Sequence, residues 1–208
     1  MIKVHKIPGN KWIPNCYFVC NDSDAIIIDP GCHLNLIKEY LTGYKLKGII
    51  ATHGHYDHIL NVSKLKKEYN VLFYMHPADK KLVKHANFYL KLFNGEDIIE
   101  IPEVDVWIND SETLDFEFVK FNVIHTPGHT EGSVCLSFGN YLFTGDLLMK
   151  RTIGRTDLPG GNGEKLGNSL KKIINIFPDV NIYPGHGENS TIVDEKKFNT
   201  ALIKLMNV

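Results

Sequence analysis

The segment Thr52-His53-Gly54-His55-Tyr56-Asp57-His58 places the tightest limit on the architecture of this 208-residue chain. Three imidazoles and one carboxylate fall within the six positions from His53 to His58. Just before them, residues 48–51 read as a buried strand. Just after them, Ile59, Val62, Leu65 and Tyr69 follow helical spacing, so a helix is expected to start near Asp57. His53, His55 and Asp57 stand at alternate positions, and directly after a strand such spacing can point all three the same way. The loop therefore asks for a strand that feeds a helix across a ligand-bearing turn.

The rest of the chain repeats that arrangement. β-branched or apolar runs at 2–7, 16–19 and 25–28 are bounded by Pro, Gly, Asn or Asp and read as strands. A helix is expected over 35–41 and a strand over 71–75, which completes a β-α-β-α-β alternation of sheets covered by helices. Residues 77–93 are expected to be helical, with Pro77 tolerated in the first turn. Residues 94–110 read as a loop. Strands follow at 113–114, 117–124, 133–138 and 141–143, and residues 150–163, rich in Gly and polar groups, as a surface loop. Leu166, Leu170, Ile173, Ile174 and Phe177 form a helical stripe that Pro178 ends, before a strand at 180–183 and a last helix at 194–205.

Three of the later strands end in a Gly-containing turn that carries a ligand-type residue. These are Thr126-Pro127-Gly128-His129, Thr144-Gly145-Asp146 and Pro184-Gly185-His186-Gly187. Loops at strand ends are where α/β proteins place chemistry. With the first loop they offer seven ligands, five imidazoles and two carboxylates. One tetrahedral zinc takes four at most, so the set suits two metals that share a carboxylate. No cysteine belongs to it, which disfavours a closed thiolate site. Imidazole with carboxylate suits zinc, iron or manganese, and two such ions imply hydrolysis by a metal-activated water.

Composition narrows the partners. The chain is 43% hydrophobic and 23% charged, ordinary for a globular protein of one domain. Its formal charge is −1 without an isolated Lys/Arg block, which argues against nucleic acid or an anionic membrane as a main partner. The N-terminus lacks the apolar core of a signal peptide, and no run approaches membrane-spanning length. Cys16, Cys20, Cys32 and Cys135 contain no CxxC pair and read as reduced thiols of a cytoplasmic protein.

The loop His53-x-His55-x-Asp57-His58, followed by His129, Asp146 and His186, resembles the metal motifs of the metallo-β-lactamase superfamily, in order and over nearly the whole chain. The resemblance implies an α/β fold, the αββα sandwich of two mixed β-sheets flanked by helices, as a single domain over residues 1–208. It implies one metal on His53, His55 and His129, a second on Asp57, His58 and His186, and a bridge at Asp146. The two divalent ions are expected to be zinc, with iron or manganese compatible, and Asp57 is expected to position a metal-bound hydroxide. Asp29, in Ile28-Asp29-Pro30-Gly31, resembles the superfamily's first motif, a supporting acid.

Within the superfamily, Thr126-Pro127-Gly128-His129-Thr130-x-Gly132-Ser133, Thr144-Gly145-Asp146 and the stretch from Ile153-Gly154-Arg155-Thr156-Asp157 to Gly161 resemble the short branch of glyoxalase II-like hydrolases. A small thioester or ester is the implied substrate, and Arg155 is a candidate clamp for its carboxylate, or else the partner of Asp157. Two departures leave glutathione itself open. The chain ends before the helical C-terminal domain of glyoxalase II, and it reads His186-Gly187-Glu188 where that enzyme has an aromatic residue. Two alternatives stay open: an iron persulfide dioxygenase, which uses one iron on the residues matching His53, His129 and Asp146, and a metal-binding protein without turnover. Oligomeric state is not legible.

Overall fold

The computed structural model describes residues 1–10, 12–94 and 98–206. The chain opens with strands β1 (Lys3–Ile7), β2 (Cys16–Cys20) and β3 (Asp24–Ile28), then α1 (Leu34–Leu41) and β4 (Lys45–Ile50). Helices α2 (Tyr56–Ile59) and α3 (Val62–Tyr69) lead to β5 (Phe73–Met75). A 3-10 turn at Pro77–Asp79 runs into α4 (Lys80–Lys84) and α5 (Ala86–Asn94). Next come β6 (Val106–Trp107), β7 (Thr113–Asp115), β8 (Lys120–His125), β9 (Val134–Phe138) and β10 (Tyr141–Gly145), then the small hairpin β11 (Leu148–Met149) and β12 (Thr152–Ile153). The described chain closes with α6 (Gly163–Ile176), β13 (Asn181–Pro184), β14 (Ser190–Thr191), α7 (Ile192–Phe198) and α8 (Thr200–Met206).

The larger strands form two six-stranded sheets, in the orders β1-β2-β3-β4-β5-β6 and β14-β13-β10-β9-β8-β7. Both are mixed: β3, β4, β5 and β6 pair in parallel, as do β10 and β13, and the remaining neighbours pair antiparallel. Side-chain alternation along a strand then sorts the apolar residues into layers. In β2, Tyr17 and Val19 point to the second sheet, where they join Ile26, Ile28, Ile50, Phe121, Val123, Leu136 and Phe143. Cys16, Phe18 and Cys20 point the other way, onto Ile37 and Leu41 of α1 and Val62 and Leu65 of α3. On the far face of the second sheet, Cys135, Leu142 and Ile182 meet Leu166, Leu170 and Ile173 of α6. The central strands are buried on both faces, which is why β2 and β3 read as continuous apolar runs. The expected helix-sheet-sheet-helix layering is what the chain adopts. All four cysteines are buried and free. Among the described residues, no helix is long and apolar enough to cross a membrane.

Several boundaries depart from the sequence expectation, each for a local reason. The helix expected from Asp57 onward is two helices, because Asn61 interrupts it. Its Nδ2 donates to the carbonyls of Pro30 (2.9 Å) and Cys32 (2.6 Å), so the residue holds the turn after β3. The helix expected over 77–93 is a 3-10 turn and two helices that break at His85 (φ −102°, ψ 12°). The strand expected from residue 117 starts at Lys120, since Glu117 has φ +67° in a tight turn and its N–H bonds to Asp115 Oδ1. The expected loop over 94–110 contains the edge strand β6, and its residues 95–97 lie outside the described residues. The expected surface loop over 150–163 contributes β12. The last helix is divided at Asn199, whose Nδ2 donates to Thr152 O at 2.9 Å.

Candidate metal centre

All seven predicted ligands meet at one edge of the sandwich. The first loop leaves β4, and His129, Asp146 and His186 follow the ends of β8, β10 and β13. Three ligand groups result, each within 4.8 Å: His53-His55-His129, His53-His58-Asp146 and Asp57-His58-His186. His53 Nε2 and His129 Nε2 approach His55 Nδ1 to 2.9 and 3.0 Å. Three imidazole nitrogens thus meet at one point, as three ligands of a common cation would. Asp146 stands between the groups. Its Oδ1 is 3.7 Å from His58 Nε2, and its Oδ2 is 3.5 Å from His129 Nε2 and 3.7 Å from His186 Nε2. Asp57 Oδ2 is 3.4 Å from His186 Nε2 and 3.8 Å from His58 Nε2. Gly185 makes this crowding possible: a Cβ there would lie 2.2 Å from Asp146 Oδ1.

Outer contacts set the imidazole orientations. Thr52 Oγ1 donates to Asp29 Oδ2 (2.8 Å), which leaves it to accept from His53 Nδ1 (3.1 Å) and turns His53 Nε2 inward. His129 Nδ1 donates to Arg155 O at 2.9 Å, and His186 Nδ1 donates to Asn10 O at 3.1 Å, again leaving each Nε2 for the centre. Asp29 is buried with φ +53°, an uncommon conformation for a side-chain-bearing residue. Its Oδ1 accepts from Thr52 N–H at 2.7 Å, and its Oδ2 lies 3.0 Å from His58 Nδ1 without the alignment of a hydrogen bond. The supporting acid expected at this position thus touches both ends of the first loop.

Protonation divides the site. Burial, reinforced by His58, His55 and His129, holds His53 well below the ordinary imidazole range. Burial, then His129, lowers His55 to about 3. At His58 burial opposes the charge, but Asp29, Asp57 and Asp146 outweigh it and push the imidazole up to about 10. His186 is raised in the same sense: burial opposes, and Asp57 and Asp146 prevail. Asp57 and Asp146 sit below the usual carboxylate range because the imidazoles, His58 first among them, outweigh their burial.

The donor set fits metal ions. Burial leaves His58 Nε2 and Asp146 Oδ1 without hydrogen-bond partners, and both face the same space. A divalent cation satisfies an imidazole nitrogen and a carboxylate oxygen together. His53, His55 and His129 would hold one ion, Asp57, His58 and His186 a second, with Asp146 between them.

Residues 9–186 match the family model of the metallo-beta-lactamase superfamily. The chain belongs to that superfamily. The hydroxyacylglutathione hydrolase GloC of Haemophilus influenzae is 32% identical over 97% of this chain and 98% of that protein. Among solved structures, the B3 metallo-beta-lactamase BLEG-1 superposes with a TM-score of 0.89 at 30% identity, covering 96% of this chain and 99% of that one. A di-iron-bound form of TTHA1623 superposes with a TM-score of 0.85 at 29% identity, covering 95% and 100%. The superfamily fold therefore spans the metal-type ligands and the cleft above them.

That cleft has a volume of about 520 Å³. His55, Asp57, His129, Asp146 and His186 form its floor, and Trp12, Leu82, Tyr89, Met149 and Leu158 supply apolar walls. Arg155 also lines it, but its guanidinium is held by Asp157, Nε to Oδ1 and Nη2 to Oδ2, both at 2.7 Å. What Arg155 gives to the ligand cluster is its main-chain carbonyl.

Supporting residues escaped the sequence reading because their contacts are distant in the chain. Asn15 Nδ2 donates to the carbonyls of Pro184 (2.8 Å) and Gly187 (2.9 Å), and Tyr17 Oη donates to Pro184 O (2.7 Å), so β2 carries the His186 turn. Asp79 binds both the first loop and the His129 loop. Asn15 precedes an apolar strand and Asp79 follows a proline, and neither spacing points to a site.

Proposed function

We propose that this protein is a metal-dependent hydrolase of a small thioester or ester, glyoxalase II-like, that works with two divalent ions, zinc first among them. The observation that carries the reading is the convergence of five imidazoles and two carboxylates around the unpartnered His58 Nε2 and Asp146 Oδ1. When bound, two such ions would polarise a carbonyl and lower the pKa of a water. The similarity to GloC, over nearly the full length of both chains, supports a thioester as substrate.

The remaining steps belong to the protein's own groups. The apolar walls hold the hydrocarbon and sulfur parts of the substrate and keep bulk water from the floor. Asp57, which lines the cleft, orients the attacking water by accepting its hydrogen. Neutral His53 and His55 would offer a lone pair to a cation without first losing a proton. Arg155 contributes where a substrate carboxylate displaces Asp157 from its exposed guanidinium.

Protein loaded with two equivalents of zinc or manganese is expected to cleave members of a thioester panel that includes S-lactoylglutathione, read by thiol release. Absence of turnover on every thioester and ester would sink the proposal. Nitrocefin opening in the same assay points instead to a β-lactam substrate. One iron per chain with oxygen uptake on glutathione persulfide points to a dioxygenase.

A further inference from the structure

Asp79 is not among the seven ligand-type residues, yet it joins two loops that carry five of them, bonding the first loop at Gly54, between His53 and His55. It closes the 3-10 turn after β5 and is buried. Its Oδ2 accepts from the N–H of Gly54 at 2.8 Å and from the hydroxyl of Thr130 at 2.7 Å. Its Oδ1 accepts from the N–H of Gly132 at 2.7 Å. Gly54 lies between His53 and His55, and Thr130 follows His129. One carboxylate therefore spans two loops that come from different sheets.

The space around Asp79 is cut to its shape. A Cβ at position 54 would lie 2.9 Å from Asp79 Cβ, and one at position 132 would lie 2.6 Å from Asp79 Cγ. Both distances are inside the normal separation of unbonded carbons. The glycine of the His-x-His motif thus makes room for this side chain. Thr130 is oriented as well: its hydroxyl donates to Asp79, so it accepts from Ser133 Oγ at 2.7 Å, and Ser133 Oγ accepts from the N–H of Thr130 at 3.1 Å.

The two loops need such a link. The apolar contact between the sheets is non-directional and does not set a loop's position to tenths of an ångström. The backbone bond from Val134 N–H to Thr52 O, 2.8 Å, ties the same regions one residue before the first ligand. Asp79 ties them on the ligand side, with three charge-assisted bonds that fix direction as well as distance. Its bonds fall at Gly54, between His53 and His55, and at Thr130 and Gly132, just after His129, and none falls beside Asp57, His58 or His186.

We propose that Asp79 is a positioning residue for the three-histidine end of the centre: its carboxylate sets the gap between the His53/His55 loop and the His129 loop, and with it the affinity of that end for a divalent ion. The proposal rests on the two-metal reading above. Asp79→Asn preserves size but turns one acceptor into a donor that faces N–H or O–H groups. The test uses metal-stripped full-length protein titrated with Zn2+ against a chromophoric chelator, with the melting temperature of the stripped protein and Co2+ d–d absorption as further readouts.

For Asp79→Asn, one of the two zinc affinities is expected to fall about 10- to 100-fold while the other stays within about threefold. The Co2+ spectrum of the affected equivalent should change in step. Wild-type affinities at both positions with only a lower melting temperature would overturn the proposal, and so would an equal loss at both. Should Asp79→Asn fail to fold, Thr130→Val removes one donor and leaves Asp79 in place. A fall of about tenfold at the same single position is then expected, and no change there would refute the idea. Wild-type protein that takes up no ion defeats the two-metal reading itself, which is a different result from a variant that binds as wild type does.

Discussion

The two ends of the centre are built from equal numbers of side chains but differ in charge. His53, His55 and His129 offer imidazoles only, and burial keeps His53 and His55 unprotonated at neutral pH. Asp57, His58 and His186 combine a carboxylate with two imidazoles whose protonation is favoured by Asp29, Asp57 and Asp146. At the first end, His53 and His55 are ready to accept a cation. The second must release a proton to do so, and gains a carboxylate in return. Ligand count alone therefore does not rank the two positions, because proton competition from His58 and His186 is the stronger.

Removal of the group common to both ends should have the largest effect. Asp146→Ala takes away the carboxylate that lies between them, at 3.5 Å from His129 and 3.7 Å from His58 and His186. Hydrolysis is expected to fall by more than the roughly 100-fold seen when an outer partner of a metal ligand is lost, with zinc content below two per chain by mass spectrometry. A variant that keeps both ions would show that the two ends are independent.

A smaller effect separates the ends by pH. His58, raised to about 10, is charged throughout pH 6 to 8, so an ion at its end displaces a proton. Burial holds His53 and His55 low, so an ion there meets less proton competition from them. Zinc affinity at the carboxylate-bearing end should rise about tenfold per pH unit, more steeply than that at the three-histidine end. Chelator competition at pH 6, 7 and 8 measures both. Parallel slopes would contradict the division.

The smallest expected change comes from Tyr17→Phe. Loss of its 2.7 Å bond to Pro184 O removes one support of the His186 turn, while Asn15 still holds the same carbonyl. A stability loss of about 1 kcal/mol is expected from denaturant unfolding. Any effect on zinc should appear at the His186 end alone. A change at the three-histidine end would mean that the sheet interface transmits it.

The first loop was legible because its ligands are contiguous, and a strand followed by a helix dictates which side chains share a face. His129, Asp146 and His186 were legible through a repeated pattern, a strand end with a Gly turn. Asp29 was legible only through the resemblance. Asp79, Asn15 and Tyr17 were not, since hydrogen bonds between residues 25 to 172 positions apart leave no periodic trace. Helix breaks at Asn61 and Asn199 were missed for the same reason: their side chains serve distant carbonyls, and helical spacing of the apolar residues continues across them.

The sequence by itself determined the ligand inventory, the strand and helix alternation and the apolar faces that make a two-sheet sandwich, because each depends on spacing along a single element. Only the tertiary structure decided that burial holds His53 and His55 low while carboxylates hold His58 and His186 high, that Arg155 offers its carbonyl to His129 while its guanidinium is held by Asp157, and that Asp79 spans two ligand loops. Those features depend on which loops meet when two sheets pack face to face, and burial, charge and hydrogen bonding act at that meeting place across distances that spacing in the chain does not encode.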